Sequence, residues 1–106
     1  MTALSEFHVD EHLCVILLDY VGPLEQVDAQ IEAHRAFLER GLAEGVFLVA
    51  GRREPRTGGV ILCRGIAEDI EAVAQTDPLV TAGLATAEVI EFKAALAVPA
   101  IAKLAQ

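Results

Sequence analysis

The segment from Leu13 to Tyr20, LCVILLDY, is apolar at every position before Asp19. Successive side chains of a strand point to opposite faces, so this run predicts a strand that is covered on both faces. Two further apolar runs, VFLVA at 46–50 and VILC at 60–63, flank the polar connection GRREPRTGG. This pattern predicts a hairpin with a longish loop. A fourth strand, TAEVIEFK, is predicted at 86–93.

Helical patterns occupy the segments between these strands. The apolar spacing over 24–44 predicts one continuous helix, and the glycine that follows it is typical of a helix C-terminus. A shorter helix is predicted over 67–76, and Pro78 is well placed to begin a further helical turn. The alanine-rich tail at 94–106 is predicted to be helical with an interruption at Pro99.

The order strand, helix, strand, strand, helix, strand predicts an α+β fold, the ferredoxin-like split βαβ (βαββαβ) arrangement with a four-stranded antiparallel sheet. We expect one domain over 1–106, with a core at 13–92, an N-terminal extension at 1–12 and a helical tail at 94–106. Two helices cover only one face of such a sheet, whereas the first strand is apolar on both. A second copy packed sheet against sheet would cover the other face, so a homodimer is predicted.

Composition excludes several classes of protein. The 106 residues carry a formal net charge of −8, which repels a phosphate backbone and disfavours nucleic acid as a partner. Although 54% of the residues are hydrophobic, no apolar run approaches the ~18–20 residues of a membrane span. The start, MTALSEFHVDEH, lacks the basic and apolar regions of a signal peptide, so a cytoplasmic location is expected. Cys14 and Cys63 are then expected to be buried thiols, not a disulfide.

A histidine lies on the predicted buried stripe of the first helix, which consists of Val27, Ile31, His34, Leu38 and Leu42. A buried imidazole needs a hydrogen-bond partner, because an unpaired one costs roughly 1–3 kcal/mol. Such a residue is either a structural contact or the proton carrier of a site.

Two other groups of polar residues are candidates for binding. Four arginines, at positions 52, 53, 56 and 64, lie around the predicted hairpin, where they either attract an anionic small molecule or form a solvated edge. His8 and His12 are four residues apart but lack a third ligand, so a solvated segment is expected there and no metal site. No motif indicates a cofactor.

Three motifs in combination carry a resemblance: AHRAFLERGLAEG, GRREPRTGGVIL and TDPLVTAGLATAEVIEF. Over roughly 13–92 the chain resembles the YCII-related (YciI-like) family of small dimeric α+β-barrel proteins. The resemblance implies a pocket with a catalytic histidine–aspartate pair, which falls on His34 and Asp77. Family members often carry a serine where this chain has Ala50. The best-understood chemistry of the wider family resembles the removal of HCl from a chlorinated hydroxyquinone.

The leading hypothesis is therefore a cofactor-free enzyme that performs elimination, isomerisation or a similar proton transfer on a small metabolite. His34 would act as general base or acid, and Asp77 would orient it. The residues expected to bind substrate are Arg52, Arg56, Asp19 and Tyr20. One alternative is a small-molecule-binding or stress-related module without turnover. Another is a protein whose apolar tail, Ala94 to Ala105, docks onto a partner. Assembly of dimers into higher oligomers is left open.

Overall fold

A computed structural model describes residues 5–106 of the chain. After a 3-10 turn at Ser5–Phe7, these residues form four strands and five helices. The strands are β1 (His8–Tyr20), β2 (Phe47–Arg52), β3 (Gly58–Arg64) and β4 (Ala85–Leu96). The helices are α1 (Leu24–Ala29), α2 (Ile31–Ala43), α3 (Ala67–Ala74), α4 (Pro78–Thr81) and α5 (Pro99–Ala105).

The four strands form one antiparallel sheet in the order β2-β3-β1-β4. This is the predicted ferredoxin-like arrangement, and the α+β fold class is confirmed. Strand β1 lies in the interior of the sheet, where it pairs with β3 through Ile16 and Ile61 and with β4 through Ile16 and Val89. The most apolar strand of the sequence is therefore one of the two central strands of the sheet.

Helices α2 and α3 pack on one face of the sheet, around a core of buried side chains. That core is formed by strand residues Cys14, Ile16, Leu18, Phe47, Ile61 and Cys63 and by helix residues Phe37, Ile70 and Ala74. The two cysteines are buried and free, as predicted. In the part of the chain that the structure describes, no helix is long and apolar enough to cross a membrane.

The opposite face of the sheet, which we call the open face, is also apolar. Its side chains alternate with the core residues along each strand, and several remain well exposed. They include Val49, Val60, Ile90 and Phe92, at 58%, 38%, 44% and 43% exposure. At one end of this face Ala105 of α5 packs with Leu13 and Ala94 in a small buried cluster.

The first helix differs from its prediction, because it is interrupted at Gln30, whose φ of −104° and ψ of 3° are not helical. The interruption rotates α2 relative to the continuous stripe that was expected. Phe37 therefore points into the core, and Leu42, predicted to be buried, is 43% exposed. The inward position of His34 is unaffected, since its exposure is only 9%.

The first and the last strand are longer than the sequence predicted. Strand β1 begins at His8, so His8 and His12 lie on a strand, where both remain exposed. Strand β4 continues to Leu96, and α5 begins at Pro99 instead of being interrupted there. Proline suits the first turn of a helix because the amide hydrogen that it lacks has no partner there. Residues 1–4 of the predicted N-terminal extension lie outside the described residues.

A carboxylate from β4 supports the start of α3, where Ile66 provides no side-chain cap. One oxygen of Glu91 accepts the N–H of Ala67 at 2.7 Å, and the other lies 2.7 Å from Nδ1 of His12. The hydrogen bond from Ala67, followed by that from His12, holds the pKa of Glu91 below its usual range. A carboxyl whose pKa is lowered by folding stabilises the protein above its unfolded pKa, and this contribution is lost as the pH falls through the folded value.

We therefore expect Glu91→Gln to be less stable than the wild type at neutral pH, because the amide is a weaker acceptor for the α3 terminus. The difference in melting temperature will shrink as the pH falls through the lowered pKa of Glu91, where the wild-type carboxyl also becomes neutral. Thermal unfolding across pH measures this, and Glu88→Gln on the same strand is the control. A deficit that stays constant across the whole pH range would contradict the electrostatic explanation.

Candidate functional site

His34 and Asp77 form a buried pair that joins two helical segments 43 residues apart in sequence. Nδ1 of His34 lies 2.9 Å from Oδ1 of Asp77, whose side chain is almost fully enclosed. Because a carboxylate can only accept a hydrogen bond, Nδ1 carries the proton and donates it. The pair therefore fixes both the tautomer and the orientation of the imidazole ring.

Asp77 is held in place by its position at the start of α4. Its extended backbone, with φ −60° and ψ 126°, makes it the N-cap residue, and Oδ1 also accepts the N–H of Leu79 at 3.0 Å. Pro78 follows at the first helical position, as the sequence predicted. Oδ2 is buried and has no hydrogen-bond partner among residues 5–106. One carboxylate oxygen thus orients both the helix terminus and the histidine.

The histidine lies on the wall of a cavity of about 580 Å³ between the helices and the hairpin end of the sheet. Its second ring nitrogen, Nε2, has no hydrogen bond to the described residues and is not among their buried unpaired atoms. Nε2 is therefore the ring atom available to a molecule in the cavity. On the opposite side the ring stacks on Phe37, with centroids 6.2 Å apart.

The other walls of the cavity divide into an apolar and a charged part. The apolar part is formed by Leu18, Ile31, Leu38 and Ala50. The hairpin contributes backbone surface at Gly51, Gly58 and Gly59. Position 58 requires glycine, because a Cβ there would lie 1.7 Å from the carbonyl oxygen of Leu18. The charged part consists of Asp28, Arg35, Arg52 and Arg56.

Three of the four residues predicted to bind substrate line this cavity. Tyr20 lies on the wall with Arg56 above its ring, 5.9 Å from the centroid, and Arg56 is also paired with Asp28. Arg52 lies 3.4 Å from Glu54, and both side chains are well exposed. The hydrogen bond to Asp28 is the main cause that raises the pKa of Arg56 above its ordinary value.

Asp19 is placed differently from the other three. It pairs with Arg53 on the surface of the sheet and is not among the residues that line the cavity. Its side chain points to the face opposite Leu18 and Tyr20, because neighbouring strand positions alternate. Arg35 also lines the cavity, although it was not among the residues predicted to bind substrate.

The thiols of Cys14 and Cys63 are not candidates for a catalytic nucleophile. Burial is the main cause that raises the pKa of Cys63 to about 12, and it also raises the pKa of Cys14. A thiol that stays protonated at neutral pH is a poor nucleophile. Both cysteines therefore act as apolar core residues, paired opposite each other on β1 and β3.

Comparison with known proteins identifies a family and a solved structure of similar fold. The family model for the YCII-related domain matches residues 12–93. Among solved structures, the chain is similar to 5-chloro-2-hydroxyhydroquinone dehydrochlorinase (TftG) from Burkholderia phenoliruptrix AC1100, solved in complex with 2,5-dihydroxybenzoquinone. That match has a TM-score of 0.63 and 22% sequence identity, and it covers 77% of this chain and 93% of the other. A comparison with curated protein sequences finds no significant match.

Proposed function

Because the chain belongs to the YCII-related family, we propose that it is an enzyme in which His34 and Asp77 transfer a proton to or from a small molecule. The observation that carries the proposal is the 2.9 Å contact between Nδ1 and Oδ1 beside a cavity of about 580 Å³. An imidazole oriented by a carboxylate on one nitrogen can act as a general base with the other.

In the proposed reaction, Nε2 of His34 removes a proton from an acidic O–H or C–H of the bound molecule. The electron pair left behind either expels a leaving group, which is elimination, or is protonated at another atom, which is isomerisation. The imidazolium returns its proton to water or to the product, so the enzyme is regenerated. Asp77 stabilises the imidazolium without taking its proton. Arg52 and Arg56 stabilise negative charge that develops on the substrate.

Elimination is favoured by the nature of the structural neighbour, which is a dehydrochlorinase in complex with a dihydroxybenzoquinone. A chlorinated hydroxyhydroquinone, once its keto form carries a hydrogen on the carbon that bears chlorine, would lose a hydroxyl proton to Nε2 while chloride leaves with its bonding pair. The product is a hydroxybenzoquinone, and because the ring is oxidised by the departure of chloride, no external oxidant is required. The flat ring of such a compound suits a cavity with an apolar wall on one side and glycine backbone on another.

The test is to incubate the protein in D₂O with 5-chloro-2-hydroxyhydroquinone and with unchlorinated hydroxyquinones. Chloride release is followed for the first compound, and deuterium incorporation is followed by NMR for the others. We expect at least one of these proton transfers to be faster with the protein than in buffer alone. If both rates equal those in buffer for every compound, the proposal of proton-transfer catalysis on hydroxyquinones is wrong.

The alternative is a binding module without turnover, and one observation favours it. Oδ1 of Asp77 also holds the N-terminus of α4 through Leu79, so the pair already has a structural role. A binding module would show saturable binding of a hydroxyquinone in the cavity while neither chloride release nor deuterium exchange is accelerated. The same D₂O experiment therefore separates the two functions.

We also propose that two copies pack through their open faces to form a homodimer in the cytoplasm. The proposal is supported by the apolar side chains that this face leaves exposed, since a contiguous apolar surface is typical of protein interfaces. The two free, buried thiols fit a reducing compartment.

Ile90→Lys on the open face is expected to shift the protein from dimer to monomer, because it places a charge in the centre of an apolar interface. Leu42→Lys is a matched control, since Leu42 is 43% exposed, close to the 44% of Ile90, but lies on the helical side. Sedimentation velocity measures the assembly. A wild-type protein that stays monomeric as its concentration rises, or an Ile90→Lys variant that stays dimeric, would contradict the proposed interface.

A further inference from the structure

We propose that Arg35 is the residue that anchors the substrate, and that the cavity therefore selects a small organic anion such as a carboxylate or phenolate. This proposal rests on the proposed site beside His34, but it concerns binding and can be tested without turnover. It assigns specificity to a residue on α2, not to the arginines of the hairpin.

The wall of the cavity carries more positive than negative charge. It carries three guanidinium groups, those of Arg35, Arg52 and Arg56, against one carboxylate, that of Asp28. The protein as a whole has a net charge of −8, so this is a local reversal of sign. An anion that approaches the protein is repelled by most of the surface and attracted to this cavity.

The three arginines differ in whether a nearby carboxylate offsets their charge. Arg56 is paired with Asp28 and lies over the ring of Tyr20, so part of its charge is already offset in the free protein. Arg52 has Glu54 at 3.4 Å. Arg35 has no carboxylate within ion-pair distance among the residues that the structure describes. An incoming anion gains most at the guanidinium whose field is not already cancelled.

Arg35 also lies next to the histidine in the chain. It directly follows His34 on α2, and both residues line the same cavity. An anionic group held by Arg35 therefore keeps the rest of a small molecule in the cavity that His34 and the apolar residues Leu38 and Ile31 also line. A guanidinium binds a carboxylate through two parallel hydrogen bonds, which fixes direction as well as position. The anchor thus orients the proton that His34 would transfer.

The experiment compares salicylate with salicylamide, two aromatic probes of similar shape of which only the first is an anion at neutral pH. Binding is followed by chemical shifts of the cavity residues. We expect the wild type to prefer salicylate, and Arg35→Gln to bind it about tenfold more weakly while its affinity for salicylamide is unchanged. Arg35 is exposed, so the variant keeps its fold, which its amide spectrum verifies.

Arg40→Gln is the matched control, because Arg40 lies on the same helix but lines a separate gap between α2 and α3. It makes the same change in net charge and is expected to leave salicylate binding unchanged. Arg56→Gln tests the competing anchor. The proposal is overturned if Arg56→Gln removes the preference for salicylate and Arg35→Gln does not, or if the wild type shows no preference.

Failure of this proposal and failure of the proposed catalysis are distinguishable. His34→Gln should retain the preference for salicylate, since the anchor does not depend on the imidazole. If no proton transfer is catalysed but Arg35→Gln still weakens the binding of salicylate, the proposed anchor is supported and the proposed catalysis is wrong. If proton transfer is catalysed but Arg35→Gln leaves salicylate binding unchanged, the proposed catalysis is supported and the proposed anchor is wrong.

Discussion

Replacement of His34 by glutamine will leave the fold intact and lower the rate of catalysed proton transfer by about 10²–10⁴-fold, the usual contribution of a general base. The glutamine amide can still donate a hydrogen bond to Asp77, so the buried carboxylate keeps a partner. It has no nitrogen that can accept a proton from substrate. The rate is measured as chloride release or deuterium incorporation.

His34→Ala is the companion variant, because it removes the donor as well as the base. We expect it to lose activity to the same extent and, unlike His34→Gln, to lose about 1–3 kcal/mol of stability, because the buried carboxylate loses one of its two hydrogen-bond donors. A purely structural histidine gives a different result. In that case His34→Ala is destabilised, but His34→Gln retains whatever proton-transfer rate the wild type shows.

The second large effect is expected at Asp77. Asp77→Ala removes the acceptor for both His34 and the N–H of Leu79 in a buried place. Loss of an N-cap costs roughly 0.5–2 kcal/mol, and loss of the acceptor for a buried donor costs about 1–3 kcal/mol more. We expect a melting temperature on the order of 10 °C below the wild type, measured by circular dichroism.

Asp77→Asn separates stability from chemistry. Its amide oxygen can still accept from Leu79 and from His34, so the fold should be kept with a smaller loss of stability. It lacks the negative charge that stabilises the imidazolium, so the proton-transfer rate should fall far more than the stability does. The proposed role of Asp77 would be contradicted if Asp77→Asn kept the full wild-type rate.

The order of strands and helices was predictable from the sequence because each element has its own local signal. The apolar run at Leu13–Tyr20 and the hairpin around GRREPRTGG needed no long-range information. The interruption at Gln30 was missed because nothing in the sequence marks it, neither glycine nor proline. The extension of β4 to Leu96 was missed because alanine is poor in strands on average, and pairing with β1 overrides that preference.

The site was predictable only in part, for a related reason. His34 stood out as a polar residue on an apolar stripe, whereas its pairing with Asp77 was implied by the family resemblance. Arg35 could not be distinguished from a solvated arginine, because its significance depends on where Arg56 and Asp28 lie in space. A sequence shows which charges exist, but not which of them are already neutralised by a neighbour.

The measurement that tests the account most directly is the NMR spectrum of the His34 ring, through long-range correlations of its two nitrogens. We expect Nδ1 to be the nitrogen that carries the proton donated to Asp77, and the Nε2 signal to shift when salicylate is added. Asp77→Asn should weaken the preference for this tautomer. A wild-type ring protonated at Nε2, or one whose nitrogens respond neither to salicylate nor to Asp77→Asn, would contradict the proposed site.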